Sequence, residues 1–335
     1  MRALSEEFDA SSLGASLADG WGVNVATADY AAVGGGSYHW VVRDLDGTQS
    51  FVTVDDLDQK PWLGDSRESV FVGLRRAFDT AVALCDGGLG FVVAPIHTAG
   101  GEAVRRIGPR HTIALFPFVD GHAGRFGHYD DTDVRAAVVE MLVELHRATP
   151  AVGSVARGIG LEVPGRRHIE AGLHELNEMW SGGPFSEPAR QALAAHAADV
   201  AELLALADRL AADVAGRANE WVVTHGEPHA ANVIWTGERH LLIDWDTVGL
   251  APPERDLWMV VDDDGGDAAI YADATGHTID RVAMDFYRLA WDLDDLAAYV
   301  SELRSPHRHN EDTERAFEGL SRCVASRDRW AALLR

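Results

Sequence analysis

Along the first third of the chain, apolar and polar residues alternate in short runs, and over most of the remainder apolar residues recur every three or four positions. Residues 1–20 pattern as a short amphipathic helix. Tyr38-His39-Trp40-Val41-Val42 and Phe51-Val52-Thr53-Val54 are predicted strands joined across Asp46-Gly47, a pair suited to a tight hairpin turn. Ser66 opens a predicted helix on which Val70, Phe71, Leu74, Phe78 and Val82 share one face. Phe91-Val92-Val93-Ala94-Pro95 and Thr112-Ile113-Ala114-Leu115-Phe116 add two predicted strands. After Pro117 the helical period dominates, with Val134, Val138, Met141 and Leu145 on one stripe. One long helix is expected from Ser186 to Ala215, with Ser186 as N-cap and Pro188 in the first turn. Short strands at 221–223, 233–235 and 240–243 surround loops, and 279–304 and 311–333 are helical. The pattern predicts an α+β fold with a boundary near Phe118: a small antiparallel sheet lobe with one helix at 1–118, and a large, mainly helical lobe at 119–335.

Composition narrows the class. The 335 residues are 47% hydrophobic and 24% charged, which is ordinary for a folded chain. With 29 Lys+Arg against 53 Asp+Glu, the formal charge of −24 argues against nucleic-acid and anionic-membrane partners, and favours cationic or metal-bound ones. The N-terminal MRALSEEFDASSL lacks a signal-peptide core, and no run is long and apolar enough to span a bilayer. Cys85 and Cys323 form no CxxC pair, so a cytoplasmic protein with two reduced thiols is expected. Lys60 is the one lysine, so any chemistry that needs an ammonium has a single candidate.

The densest chemistry is His225-Gly226-Glu227-Pro228-His229-Ala230-Ala231-Asn232, followed by Ile243-Asp244-Trp245-Asp246. A carboxylate, an amide five residues on and a second carboxylate after a short hairpin suit metal-assisted phosphoryl transfer. Glu227 can take a proton from an attacking hydroxyl, while the Asn232 oxygen and Asp244, with Asp246 assisting, offer Mg²⁺ the hard oxygen ligands it prefers. Gly34-Gly35-Gly36-Ser37 by itself reads as a plain turn; in a kinase-like first lobe it fits a hairpin that covers phosphates with backbone amides and the Ser37 hydroxyl. Asp256, at a helix start, is placed to anchor the catalytic loop, and the acidic runs Asp262-Asp263-Asp264 and Asp292/Asp294/Asp295 are either surfaces for a cationic acceptor or solvated acidic faces.

These motifs resemble the aminoglycoside phosphotransferase family, whose catalytic loop H-G-D-x-x-x-x-N and I-D metal segment stand here as His225-Gly226-Glu227…Asn232 and Ile243-Asp244. Ala114-Leu115-Phe116-Pro117-Phe118-Val119, Ile243-Asp244-Trp245-Asp246 and Leu250-Ala251-Pro252-Pro253-Glu254-Arg255-Asp256-Leu257 are similar to the spectinomycin 9-phosphotransferase group. The resemblance implies a two-lobed protein-kinase-like fold. It implies a Mg²⁺-dependent kinase that moves the γ-phosphate of ATP, with GTP the alternative, to a hydroxyl of an aminoglycoside or aminocyclitol, conferring antibiotic resistance. Catalytic positions would be Glu227, His225 and Asn232, with His225 orienting the loop. Nucleotide positions would be Gly35, Gly36, Ser37, Lys60 and the hinge at Phe116 and Phe118; metal positions would be Asn232, Asp244 and Asp246.

Two departures stand out. Thr53 occupies the place of the family's strand lysine, followed by Asp55 and Asp56, which would repel phosphate; Lys60 lies seven residues later, expected on a loop, with Arg67, Arg75 or Arg76 as substitutes. Glu227 replaces the usual aspartate and adds a methylene. They keep two rivals open: a kinase of another sugar or amino alcohol, and a catalytically weak homologue that binds nucleotide or drug.

Overall fold

In the computed structural model, the described residues are 10–35, 37–127, 129–217, 221–261 and 266–334. They fall into two units, Met1–Ile159 with Glu220–Ile279, and Gly160–Asn219 with Asp280–Arg335. Residues 1–9 of the predicted first helix, Gly36 and Asp262-Asp263-Asp264 lie outside the described residues.

The first unit opens with helix α1 (Ala10–Trp21) and strands β1 (Val25–Ala31), β2 (Ser37–Asp44) and β3 (Gln49–Asp56). Helix α2 (Arg67–Asp86) follows, then β4 (Arg105–Ile107) and β5 (His111–Pro117). The strands form one antiparallel sheet in the order β1-β2-β3-β5-β4. Because side chains alternate across a pleated strand, Trp40, Val52, Val54, Ile113 and Leu115 face Leu13 and Leu17 of α1. Ala114 faces the other way, onto Val70, Leu74 and Phe78 of α2. Ser66 caps α2 in a capping box with Ser69, as its position before the apolar stripe predicts. Phe91–Pro95 is not a strand. It makes a single parallel bridge, Val92 to Leu242, formed by the Leu242 amide on the Phe91 carbonyl and the Val93 amide on the Leu242 carbonyl, and Pro95 has no N–H to continue a ladder.

The same unit continues through β6 (His122–Ala123), α3 (Thr132–Arg147), α4 (Thr149–Val152), and two small antiparallel sheets. These are β10-β7 and β6-β8-β9, from β7 (Val222–Thr224), β8 (Val233–Trp235), β9 (His240–Leu242) and β10 (Gly249–Ala251). Helices α8 (Glu254–Val260) and α9 (Gly266–Thr275) complete it.

The second unit is helical: α5 (Arg166–His174), α6 (Ser186–Ala195), α7 (Ala197–Ala215), α10 (Arg281–Arg304) and α11 (Glu311–Val324). The single helix expected from Ser186 to Ala215 is two helices, because the chain leaves helical dihedrals at His196 (φ −120°, ψ 16°). Nor is Ser186 the cap. Its buried hydroxyl donates to the Leu303 carbonyl and accepts from the Gly183 amide, holding the helix start against α10.

On α10, Asp292, Asp294 and Asp295 are half-buried, with Asp292 paired to Arg329, so they do not form a solvated acidic face. Burial, and then the Asp295 charge, push the Asp294 carboxyl up to about 8. Between pH 4 and 8 the unfolded chain has released a proton that the folded chain keeps, so this group costs stability progressively as pH rises. D294N should therefore raise Tm by a few degrees at pH 8, and the gain should shrink towards pH 4; calorimetry across that range checks the sign.

Candidate active site

The loop between β7 and β8 is built around the Asp256 carboxylate. Fully buried at the start of α8, it accepts the His225 and Gly226 amides at 2.8 and 2.6 Å and pairs with His146 Nε2 at 3.1 Å. Burial alone would raise this carboxyl, but His146 and its other neighbours outweigh that and hold it below its ordinary value. His146 in turn meets the Tyr271 hydroxyl at 2.6 Å. The anchoring role expected for Asp256 is thus realised in geometry, whereas His146 carries no motif and could not be read from the sequence.

His225 has both ring nitrogens in use. Nδ1 accepts the Glu227 amide at 3.1 Å, and Nε2 donates to the Ile243 carbonyl at 2.9 Å. Burial lowers its pKa to about 4, so the ring is neutral and ties the 225–232 loop to the Ile243-Asp244 segment. A second tie, Ile243 N–H to the Asn232 carbonyl at 3.0 Å, fixes the two segments side by side.

Gly226 turns the loop with φ +100°, and a Cβ there would stand 2.4 Å from Arg255 Nη2. That guanidinium is itself held by the Thr224 hydroxyl and the Thr247 carbonyl. G226A should cost about 2–4 kcal/mol of stability from strain and overpacking, measured by urea denaturation.

The turn presents Glu227 with its side chain 29% exposed, its carboxylate 3.9 Å from His229 Nε2. Burial lowers His229 to about 4, so the neighbour is a neutral ring. Tyr129, buried, donates to the Pro228 carbonyl at 2.6 Å and stiffens the segment just after Glu227. Asn232 donates from Nδ2 to the Glu227 carbonyl at 2.9 Å, which turns its amide oxygen the other way.

Asp244 is the one non-glycine residue with positive φ among the described residues (φ 68°, ψ 64°). Such strain persists where the surroundings impose it, often at functional sites. Solvent reaches its side chain, yet the protein around it displaces bulk water and, with Asp246 adjacent, raises its carboxyl. A carboxylate destabilised in this way gains from a cation. No group of three or more His, Cys, Asp or Glu forms a metal cage among the described residues. Asn232 and Asp244 each carry a hard oxygen of the kind that suits Mg²⁺.

Lys60 lies on the connection after β3, where a loop is expected, but it is buried and paired rather than free. It is 3% exposed between two 3₁₀ turns, Leu57–Gln59 and Pro61–Leu63, with Nζ 2.5 Å from Asp246 Oδ2 and 3.0 Å from Asp55 Oδ1. Burial favours the neutral amine, but Asp246, Asp55 and Asp244 outweigh it and hold the ammonium well above its usual value. Asp55, which the sequence suggested would repel phosphate, is instead a partner of the one lysine. It also accepts from the Ser37 and Thr112 hydroxyls, at 2.7 and 3.2 Å, so the Ser37 hydroxyl faces Asp55 across the sheet. Thr53, at the strand-lysine position, meets His39 Nδ1 at 3.3 Å. Gly35 is exposed in the turn before β2; Phe116 packs edge-on to Phe78 at 5.6 Å, and Phe118 follows the end of β5, 36% exposed. Of the arginines proposed as substitutes, Arg67 pairs with Asp58, and Arg76 donates to the Val155 and Ala156 carbonyls.

The sequence profile of the phosphotransferase enzyme family (APH) matches residues 29–289, and the chain belongs to this family. It is 26% identical over 257 residues to Protein StrN of Streptomyces griseus, covering 73% of this chain and 75% of that protein. Among solved structures, spectinomycin phosphotransferase APH(9)-Ia in complex with ADP and spectinomycin superposes with a TM-score of 0.70 at 17% identity, over 97% of this chain and 100% of that one. The amicoumacin kinase hAmiN, with AMP-PNP, Ca²⁺ and Ami, gives 0.61 at 13% identity over 97% and 94%. These likenesses establish the protein-kinase-like fold. No helix among the described residues is long and apolar enough to cross a membrane.

Proposed function

We propose that this phosphotransferase is a Mg²⁺-dependent kinase that transfers the γ-phosphate of ATP, with GTP the alternative donor, to a hydroxyl of a cationic aminoglycoside or aminocyclitol. The observation that carries this is the Asp256-anchored loop, which presents Glu227 beside Asn232 and the strained Asp244 segment. Relatives of the same fold hold nucleotide together with spectinomycin or amicoumacin, which supports both the donor and an antibiotic acceptor. The strong negative charge of the chain suits a cationic acceptor, and the activity would confer resistance in the cytoplasm.

In this mechanism Glu227 orients the acceptor hydroxyl and takes its proton as the new P–O bond forms. The bond to the leaving diphosphate breaks in the same displacement, and the bond-forming and bond-breaking oxygens lie in line. Bound Mg²⁺ would neutralise phosphate charge, held by Asn232 and Asp244 with Asp246 beside them. His225 and Asp256 keep the loop in register. Lys60 would supply the positive charge for the α- and β-phosphates, Gly35 would lie in the covering turn, and the Phe116–Phe118 hinge would receive the base; Ser37, buried in β2 with its hydroxyl on Asp55, does not take the phosphate-binding part expected of it. Residues 1–118 would form the nucleotide lobe, and 119–335 the catalytic and acceptor lobe.

The test is an ADP-release screen over aminocyclitols, aminoglycosides, simple sugars and amino alcohols, with and without Mg²⁺. Metal-dependent turnover on the first two classes supports the proposal, and preference for a sugar or amino alcohol moves the acceptor assignment. Nucleotide binding without turnover on any acceptor contradicts it in favour of sequestration.

A further inference from the structure

Arg157 is a half-buried cation that the motifs leave without a task. Its Nη2 donates to the Trp62 carbonyl at 2.7 Å and its Nη1 to the Leu63 carbonyl at 3.4 Å, so it grips the turn immediately after Lys60. Gly73 of α2 lets this grip close: a Cβ there would meet the Leu63 carbonyl at 2.6 Å and Arg157 Nη1 at 3.3 Å. On its backbone side, the Arg157 carbonyl accepts the Leu250 amide at 2.7 Å, and Leu250 pairs with Val223 in the β10-β7 ladder that leads directly into His225. Arg76 fixes the segment from the other side, through the Val155 and Ala156 carbonyls. One residue thus joins the lysine-bearing turn to the strand pair that carries the catalytic loop.

We propose that Arg157 is a positioning residue for nucleotide binding, acting through Lys60: its guanidinium clamps the Pro61–Leu63 turn and so supplies the rigidity that a lysine borne on a strand would draw from the sheet. A planar fork suits two backbone carbonyls better than a lysine ammonium would. Burial first, and then the Arg255 and Arg76 charges, lower its pKa to about 10, so it remains a charged donor at neutral pH.

This inference rests on the assignment of Lys60 to the phosphates, and a double-mutant cycle separates the two. MgADP affinity is measured by calorimetry for the wild type, R157M, K60M and the double variant. R157M should weaken MgADP about tenfold and raise the nucleotide KM while leaving the acceptor KM alone, and R157K should fail to restore affinity. In the K60M background the same change should alter affinity less than about twofold, because the residue it positions is gone. Equal losses in both backgrounds would overturn the proposal, as would R157M that lowers Tm without changing affinity. Should K60M not fold, K60R replaces it in the cycle. A wild type that binds MgADP, with K60M binding equally well, would overturn the Lys60 assignment and this inference with it; a wild type that binds no MgADP would overturn the nucleotide proposal itself.

Discussion

D244N should lose about 10²–10³-fold in phosphoryl transfer and keep or raise its Tm. The two effects have opposite sign because they come from different properties of one residue. The amide removes the negative charge that would bind the cation, so transition-state neutralisation is lost. It also removes a carboxylate raised by the protein that displaces bulk water around it and by Asp246, relieving repulsion in the metal-free fold. Asparagine is among the residues that best tolerate the left-handed dihedrals Asp244 adopts, so the backbone need not move. Steady-state rates with saturating Mg²⁺, beside thermal unfolding in chelator, check both halves. An unchanged rate would remove Asp244 from the metal site.

E227Q should lower kcat by about 10²–10⁴-fold with little change in either KM, since the amide keeps the shape and loses the proton acceptor. E227D should also be slower than wild type. The loop geometry is set from behind, by Asp256 on the His225 and Gly226 amides, and from the front, by Tyr129 on the Pro228 carbonyl. Neither clamp moves when the side chain shortens, so the carboxylate would withdraw by about 1 Å, a misplacement that can cost about 100-fold. Rapid-quench measurement of the chemical step distinguishes this from slower product release. An E227D rate many-fold above wild type would show the native residue to be a handicap, as in a binder drifting from catalysis.

Local signals in the sequence carried far. Asp46-Gly47 turns the β2-β3 hairpin, Ser66 caps α2, and Val138, Met141 and Leu145 of the α3 stripe lie buried as their spacing predicts. Pattern failed where long-range contacts decide. The helix break at His196 and the single bridge that Phe91–Pro95 makes to Leu242 leave no mark on the apolar pattern. At the site, the loop residues were legible because they are contiguous, and Asp256 because it begins a helix. The burial of Lys60 was not legible because its partner Asp246 lies 186 residues away in sequence. For the same reason Asp55 read as repulsive: a carboxylate's effect on phosphate depends on whether a buried ammonium already sits beside it. His146, Tyr129 and Arg157 had no signal at all, since each acts through contacts that only the fold creates.

The most direct measurement of the central claim is ³¹P NMR of a reaction containing the enzyme, MgATP and an aminocyclitol that scores in the ADP-release screen. A phosphomonoester resonance that grows in step with ADP, disappears with chelator, and is absent with E227Q is the predicted result. Release of inorganic phosphate with the acceptor unmodified, or nucleotide binding with no new phosphorus species, would contradict it.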